Sequence, residues 1–339
     1  MSALVVTAQS TVFRSMFLRD GFVGPFELDV PRARFDRVAA RIDEMLERGS
    51  PHPLYGRFSV RDWHLLDDEL LSTLADGRIV DILSAILGPD LLLWRSKVFA
   101  KRPGEAELGW HQEWGAFNGE EIGNDRPALI PAAGHGDGPW NLTVWIALDD
   151  VEADMGPIRF AQGSHARRFP ITMKPLMYSE FWHDPFLGVC GVEEIVTRAN
   201  TNALVLDIET SHIFQHVDTS RLSLAEAKKI VLDALQTEVG AVTLDFNPAD
   251  YEIVDMPMPC GSFVVFSERV MHGSSGNRSS RRRLAVNGRY TRSDTVVYPF
   301  REHGDRIDGS NIDITRHECI LVAGEPRTSR NVIRRSGSR

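Results

Sequence analysis

Cysteine is scarce in this 339-residue chain: Cys190, Cys260 and Cys319 are odd in number and far apart. They offer neither a disulfide framework nor the closely spaced thiolate pairs of a zinc site. An excess of positive charge is missing as well, because 38 Lys and Arg stand against 47 Asp and Glu for a formal net of -9. Non-specific binding to a phosphate backbone is therefore not expected. No apolar run has the length needed to cross a bilayer, and the start, MSALVVTAQSTVFRSMF, lacks the charged beginning and long apolar stretch of an export signal. The expectation is a cytoplasmic enzyme acting on a small molecule, with no nucleic-acid or membrane partner.

No internal repeat, low-complexity tract or interdomain linker divides the chain, so residues 1–339 read as one domain. After Pro31, the residues Phe35, Val38, Ala39, Ile42, Met45 and Leu46 recur at helical spacing until Gly49. A second helix is expected over Asp68–Leu87, weakened at Gly77 and closed by Gly88-Pro89. From Leu91 the pattern becomes extended, with strands expected in LLLWRSKVFAK, NLTVWIALDD, NALVLDIE from Asn202, GSFVVFSE and RLAVNGRYT. Helices followed by many strands predict a mainly antiparallel barrel or sandwich with helices outside it. Ser223 and Glu226 form a capping-box signature for a helix over Leu224–Leu235, inside a long excursion at 172–255 that reads as an insertion beside the barrel mouth. The arginine-rich tail after Arg327 is expected to fray.

The sharpest local signal is Trp110-His111-Gln112-Glu113-Trp114. On an extended segment, residues at i and i+2 point the same way, so His111 and Glu113 become partners for one metal. His272, which follows the apolar strand at Gly261–Phe266, is placed to complete the set. Two imidazoles and a carboxylate on one face suit a non-haem ferrous ion and leave positions for a bidentate 2-oxo acid and dioxygen. Eleven residues beyond His272, Arg283 opens a strand in which Arg283, Asn287 and Arg289 share one face. A guanidinium inside a barrel requires an anion, and Arg283 is the candidate for the distal carboxylate of 2-oxoglutarate.

Together the segments WRSKVFAKRPG, WHQEW, NLTVWIALDD, GPIRFAQGSH, VMHGSS, RRLAVNGRY and SDTVVYP resemble the phytanoyl-CoA-hydroxylase-like oxygenases that use Fe(II) and 2-oxoglutarate, and within them the branch of non-haem halogenases. The resemblance spans about Leu91–Pro299. It implies a double-stranded β-helix, or jelly-roll, core, with His111 and His272 as iron ligands and Arg283 as the co-substrate anchor. Under it, Asn141, Thr143 and Lys101 face the pocket as further candidates for 2-oxoglutarate contacts. One position departs from the branch: halogenases carry Gly or Ala where this chain has Glu113, which favours hydroxylation over halogenation.

The relatives of that branch act on aminoacyl groups tethered to carrier proteins, on free amino acids or on other small metabolites of secondary metabolism. An amino-acid-like substrate is the expectation, with a carrier protein as the partner if the substrate is tethered. Arg95, Lys97 and Arg289 are candidates for recognising its anionic group, and His165, in the QGSH turn, for a further contact. His212 and His216 read as structural or substrate-lining, and His135 lies in a glycine-rich loop without phosphate-loop spacing. Rival readings are a related halogenase, a non-catalytic jelly-roll binding module and a cupin-like zinc hydrolase, the last of which would need neither oxygen nor a 2-oxo acid.

Overall fold

The computed structural model describes residues 3–48, 61–115, 127–133, 138–205, 208, 210–301, 314 and 317–335. Its helices are α1 (Ala3–Asp20), α2 (Arg32–Arg48), α3 (Asp68–Leu74), α4 (Gly77–Leu87), α5 (Val192–Asn200) and α6 (Leu224–Leu235). Its strands run from β1 (Phe22–Glu27), β2 (Leu91–Lys101), β3 (Leu108–His111), β4 (Leu129–Ile130) and β5 (Asn141–Ala147) through β6 (Ile158–Ala161), β7 (Ile171–Pro175), β8 (Val239–Thr243), β9 (Ile253–Met256) and β10 (Ser262–Ser267). The last five are β11 (His272–Ser274), β12 (Arg283–Arg292), β13 (Val296–Val297), β14 (Cys319–Ala323) and β15 (Ile333–Arg335). Among the described residues no helix is long and apolar enough to cross a membrane.

Two sheets face each other as a double-stranded β-helix. The larger has the order β1-β10-β5-β12-β2-β14-β15 and the smaller β3-β11-β6-β9. Every neighbouring pair in them is antiparallel except β14 with β15. Period-two alternation assigns the faces. Leu142, Val144 and Ile146 of β5 and Leu284 and Val286 of β12 lie in one core with Phe35, Ile42, Ile79 and Leu83 of the covering helices. The alternate residues Trp145, Ala147 and Ala285 point inward and meet Ile158, Phe160 and Met256 of the smaller sheet. That inward face also carries the polar residues of the site.

Local expectations hold where one signal dominates. The Ser223–Glu226 capping box is formed in both directions at the start of α6. The helix expected over Asp68–Leu87 is instead two, because the Asp76 carboxylate accepts from the Arg78 backbone N–H and starts α4 afresh. No strand forms at Asn202: this residue adopts φ 55, and its side chain accepts from the N–H groups of Thr210 and Ser211. Far from fraying, the segment after Arg327 supplies β15, which pairs with β14, while Asn331 bonds Val297 and Thr295. Within the excursion, Leu176, Ile195, Leu204, Val231 and Leu235 build an apolar cluster of their own. Its last residues do not belong to it, since Asp255 pairs with Arg159 in the smaller sheet. His212 and His216 lie in turns, and His135 lies outside the described residues.

Candidate active site

His111 ends β3 and His272 opens β11, and the antiparallel register sets the two opposite each other. Their ring centroids are 4.3 Å apart. His111 Nδ1 lies 2.9 Å from the Gly109 carbonyl and His272 Nδ1 2.9 Å from that of Val270. A carbonyl only accepts, so each Nδ1 carries the hydrogen and each Nε2 keeps its lone pair. Both rings are buried, and burial lowers their basicity, to about 3 for His272. They are neutral at physiological pH, the form that ligates a metal. Phe181, from the excursion, sets its ring edge-on to His111 at 5.1 Å.

Glu113 is brought to the same place but is gripped from the opposite sheet. Nη1 of Arg289 donates to its Oε2 at 2.6 Å, and Nη2 donates to its Oε1. Burial alone would raise the Glu113 carboxyl, but the guanidinium holds it down at about 2. Among the described residues, no three His, Cys, Asp or Glu side chains converge closely enough to hold a metal ion. The two imidazoles fit a ferrous ion in donor type, protonation and spacing; the carboxylate stands beside them, paired with Arg289.

Arg283 sits at the start of β12, 4% exposed, its guanidinium 5.5 Å from the Trp145 ring. Among the described residues its Nε has no hydrogen-bond partner, and burial lowers its basicity to about 10. A buried guanidinium with an unused N–H is suited to a ligand carboxylate. Thr143 is fully buried on β5, and its hydroxyl has no partner among the described residues.

The other sequence candidates divide. Lys101 lies opposite Arg283 but donates to the Ala106 carbonyl at 2.8 Å, the Ser274 hydroxyl at 2.9 Å and the Ser275 carbonyl at 2.7 Å. Three donors are thereby used on the protein, so Lys101 fastens two loops instead of presenting itself to a co-substrate. Asn141 accepts from the Trp94 indole at 2.9 Å and donates to Glu268 at 2.8 Å. Arg95 lies over Trp94 and donates to the Tyr298 hydroxyl; Lys97 lies 5.4 Å from the Phe99 ring and opposite Asn287. Arg289, expected at the substrate, holds Glu113. His165 bonds the Leu18 carbonyl of α1 at 3.0 Å and does not join the two imidazoles.

Two residues escaped the sequence reading. Glu268 is buried, accepts from Asn141, and has its carboxyl pushed up to about 8 by burial. Its backbone carbonyl receives the Glu113 N–H at 2.7 Å. Gln112 points away from its neighbours, donating to the Arg167 and Arg269 carbonyls and accepting from the Phe169 N–H. The only signal for Glu268 was a charged residue between an apolar strand and a candidate ligand, and Gln112 had none.

Several solved structures share this architecture. The chain superposes on CytC3 with Fe(II) and alpha-ketoglutarate at a TM-score of 0.57 and 18% identity, covering 98% of this chain and 93% of that one. It superposes on the apo non-heme monooxygenase ThoJ at 0.57 and 17% identity, covering 95% and 86%. At such identities the likeness is one of fold. In sequence, the probable alpha-ketoglutarate-dependent hypophosphite dioxygenase of Stutzerimonas stutzeri is 31% identical over 106 residues, 31% of this chain and 31% of that protein, so the chain matches less than a third of this relative's length. The family profile described as Phytanoyl-CoA dioxygenase (PhyH) matches residues 17–285, well over half of the chain. The chain belongs to that family of non-haem oxygenases dependent on Fe(II), 2-oxoglutarate and dioxygen.

Proposed function

We propose that this enzyme hydroxylates an unactivated C–H bond of a small polar, amino-acid-like metabolite of secondary metabolism, free or carrier-tethered. His111, Glu113 and His272 hold the ferrous ion in this reading, and Arg283 takes the distal carboxylate of 2-oxoglutarate. The observation that carries it is two neutral, facing imidazoles on the smaller sheet together with a buried Arg283 on the larger sheet whose Nε has no partner among the described residues. When bound, the iron and co-substrate supply oxidation by dioxygen with release of succinate and carbon dioxide.

The chain's own residues supply orientation and exclusion of water. The backbone carbonyls of Gly109 and Val270 fix the imidazole tautomers. The Trp145 ring beneath the Arg283 guanidinium steadies that group, whose fork matches a carboxylate. Phe181 closes the pocket from the excursion, whose start is stitched to β3 by the Gly109 N–H bond to the Glu180 carbonyl at 3.1 Å. Such closure shields reactive chemistry from water and selects which C–H bond is presented. Lys97 and Arg95, on the same inward face of β2, are the cations for a substrate carboxylate or phosphate-like group.

The test is anaerobic reconstitution with Fe(II) and 2-oxoglutarate, then exposure to oxygen with a panel of amino acids, their carrier-bound forms and small phosphorus oxyanions, followed by mass detection. A gain of one oxygen coupled to succinate is expected for an amino-acid-like member. Turnover confined to the phosphorus oxyanions would remove the proposed substrate class.

A further inference from the structure

An aspartate two residues after His111 would place its carboxylate through a short stem. Glu113 has one more methylene and one more freely turning bond, which costs more order to fix. Main-chain contacts fix only its backbone, through the N–H bond to the Glu268 carbonyl at 2.7 Å. Its carboxylate is fixed from the other sheet. Arg289 occupies the middle of β12, opposite Arg95 on β2 and Thr143 on β5, and reaches across the interior to both Glu113 oxygens. Arg289 is 9% and Glu113 19% exposed at the side chain, so this contact is shielded from screening water.

Two parallel N–H bonds make a planar fork that leaves a carboxylate little freedom of rotation or tilt. A carboxylate has about four lone-pair sites, so one oxygen can remain in the fork while the other turns to a metal. Resting on the reading that His111, Glu113 and His272 bind iron, we propose that Arg289 is the positioning residue for the third ligand. It holds the Glu113 carboxylate from the opposite sheet, so that one oxygen can serve the metal while the other stays in the fork. The sequence departure at Glu113 and the inward arginine on β12 thus form one device: a longer ligand and the brace that makes its length usable.

The experiment is calorimetric titration with Co(II) or, under argon, Fe(II), without 2-oxoglutarate or substrate. Arg289→Gln and Arg289→Lys are each made in the wild-type and Glu113→Gln backgrounds, with a thermal melt of every variant. Arg289→Gln is expected to weaken metal binding by roughly 10–100-fold, the usual loss when a ligand's outer partner is removed. Arg289→Lys, which keeps the charge but not the fork, is expected to retain part of that affinity. In the Glu113→Gln background the same replacements are expected to change affinity by less than about threefold, because the brace has no ligand to act on. Unchanged or tighter binding by folded Arg289→Gln would overturn the proposal, as would an equal loss in both backgrounds. Should Arg289→Gln not fold, Arg289→Lys decides: a severalfold loss that vanishes with Glu113→Gln supports the brace, and wild-type affinity refutes it. Failure of the underlying iron site looks different, since His111→Ala would then bind the metal as wild type does.

Discussion

His111 and His272 face each other across the β3–β11 register, and each is tied at Nδ1 to the carbonyl of the residue two positions before it, Gly109 and Val270. Each ring is held by its own stretch of backbone in the same i−2 arrangement. Main chain therefore sets the tautomer of both imidazoles, and side-chain replacement in the surrounding pocket leaves that setting in place.

Replacing either imidazole is expected to abolish tight metal binding. The loss should exceed the roughly 10–100-fold typical of a ligand's outer partner, because an inner donor is removed. Calorimetry of His111→Ala and His272→Ala with Co(II) checks this, and near-wild-type affinity in either would remove that histidine from the metal site.

Arg283 gives a sign opposite to that of an ordinary stabilising ion pair. Its buried guanidinium lies over Trp145 with an unpartnered Nε, and among the described residues no carboxylate forms a salt bridge with it. Arg283→Met is therefore expected to melt at or above the wild-type temperature without ligand, since the cost of burying a charge with no direct carboxylate partner is gone. With metal and 2-oxoglutarate at about 100 times its dissociation constant, the wild type should gain about 2.7 kcal/mol that the variant does not. Equal ligand-induced shifts in the two proteins would assign the anchor elsewhere.

Glu268 predicts a pH dependence of stability. Burial raises its carboxyl from 4.5 to about 8 in the folded chain. Between those values the folded state keeps a proton that the unfolded state has released, so stability falls as pH rises through the window, by up to about 4–5 kcal/mol at its upper end. Glu268→Gln retains a neutral group of similar shape and should lose that slope. Denaturant unfolding at about pH 5 and about pH 8 is the check: the variant should gain on the wild type as pH rises. A constant difference would mean that Glu268 is ionised in the folded protein throughout.

Much of this site was legible because strands report their faces directly. Arg283, Asn287 and Arg289 along β12 need only period-two alternation to be placed on one side, whereas Glu113 lies two residues beyond the end of β3. α6 was legible because Ser223 and Glu226 are three apart and act on each other. The Glu113–Arg289 pair was not, because its members are 176 residues apart and meet only when the two sheets close. Asn202 misled for a related reason: an apolar run suggested a strand, but its side chain caps the N–H groups of Thr210 and Ser211, a contact that pattern reading does not weigh. The break between α3 and α4 lies at Asp76-Gly77, where the capping preference of Asp outweighs continued apolar periodicity. β15 was hidden by its arginines, which read as solvated tail until β14 provides an edge to pair with.

The spacing of the two imidazoles depends on a glycine that carries no chemistry. Gly273 follows His272 on β11, and a Cβ built there would lie 2.7 Å from the Leu108 carbonyl oxygen and 3.0 Å from that of Gly109. Those are backbone atoms of β3, one of which also holds the His111 ring, so they cannot swing aside as a side-chain tip would. Gly273→Ala must therefore push β3 away from β11 at the pair next to His111 and His272. Overpacking of this kind costs about 1–3 kcal/mol, and the moved strand should also weaken metal binding, because the two donors part. Gly77→Ala serves as the control, since nothing lies within 4 Å of its would-be Cβ and it starts α4; it should be neutral or gain up to about 1 kcal/mol. Urea unfolding and Co(II) titration of both variants decide the matter. Wild-type stability and affinity in Gly273→Ala would show that the close approach of the strands does not set the imidazole spacing.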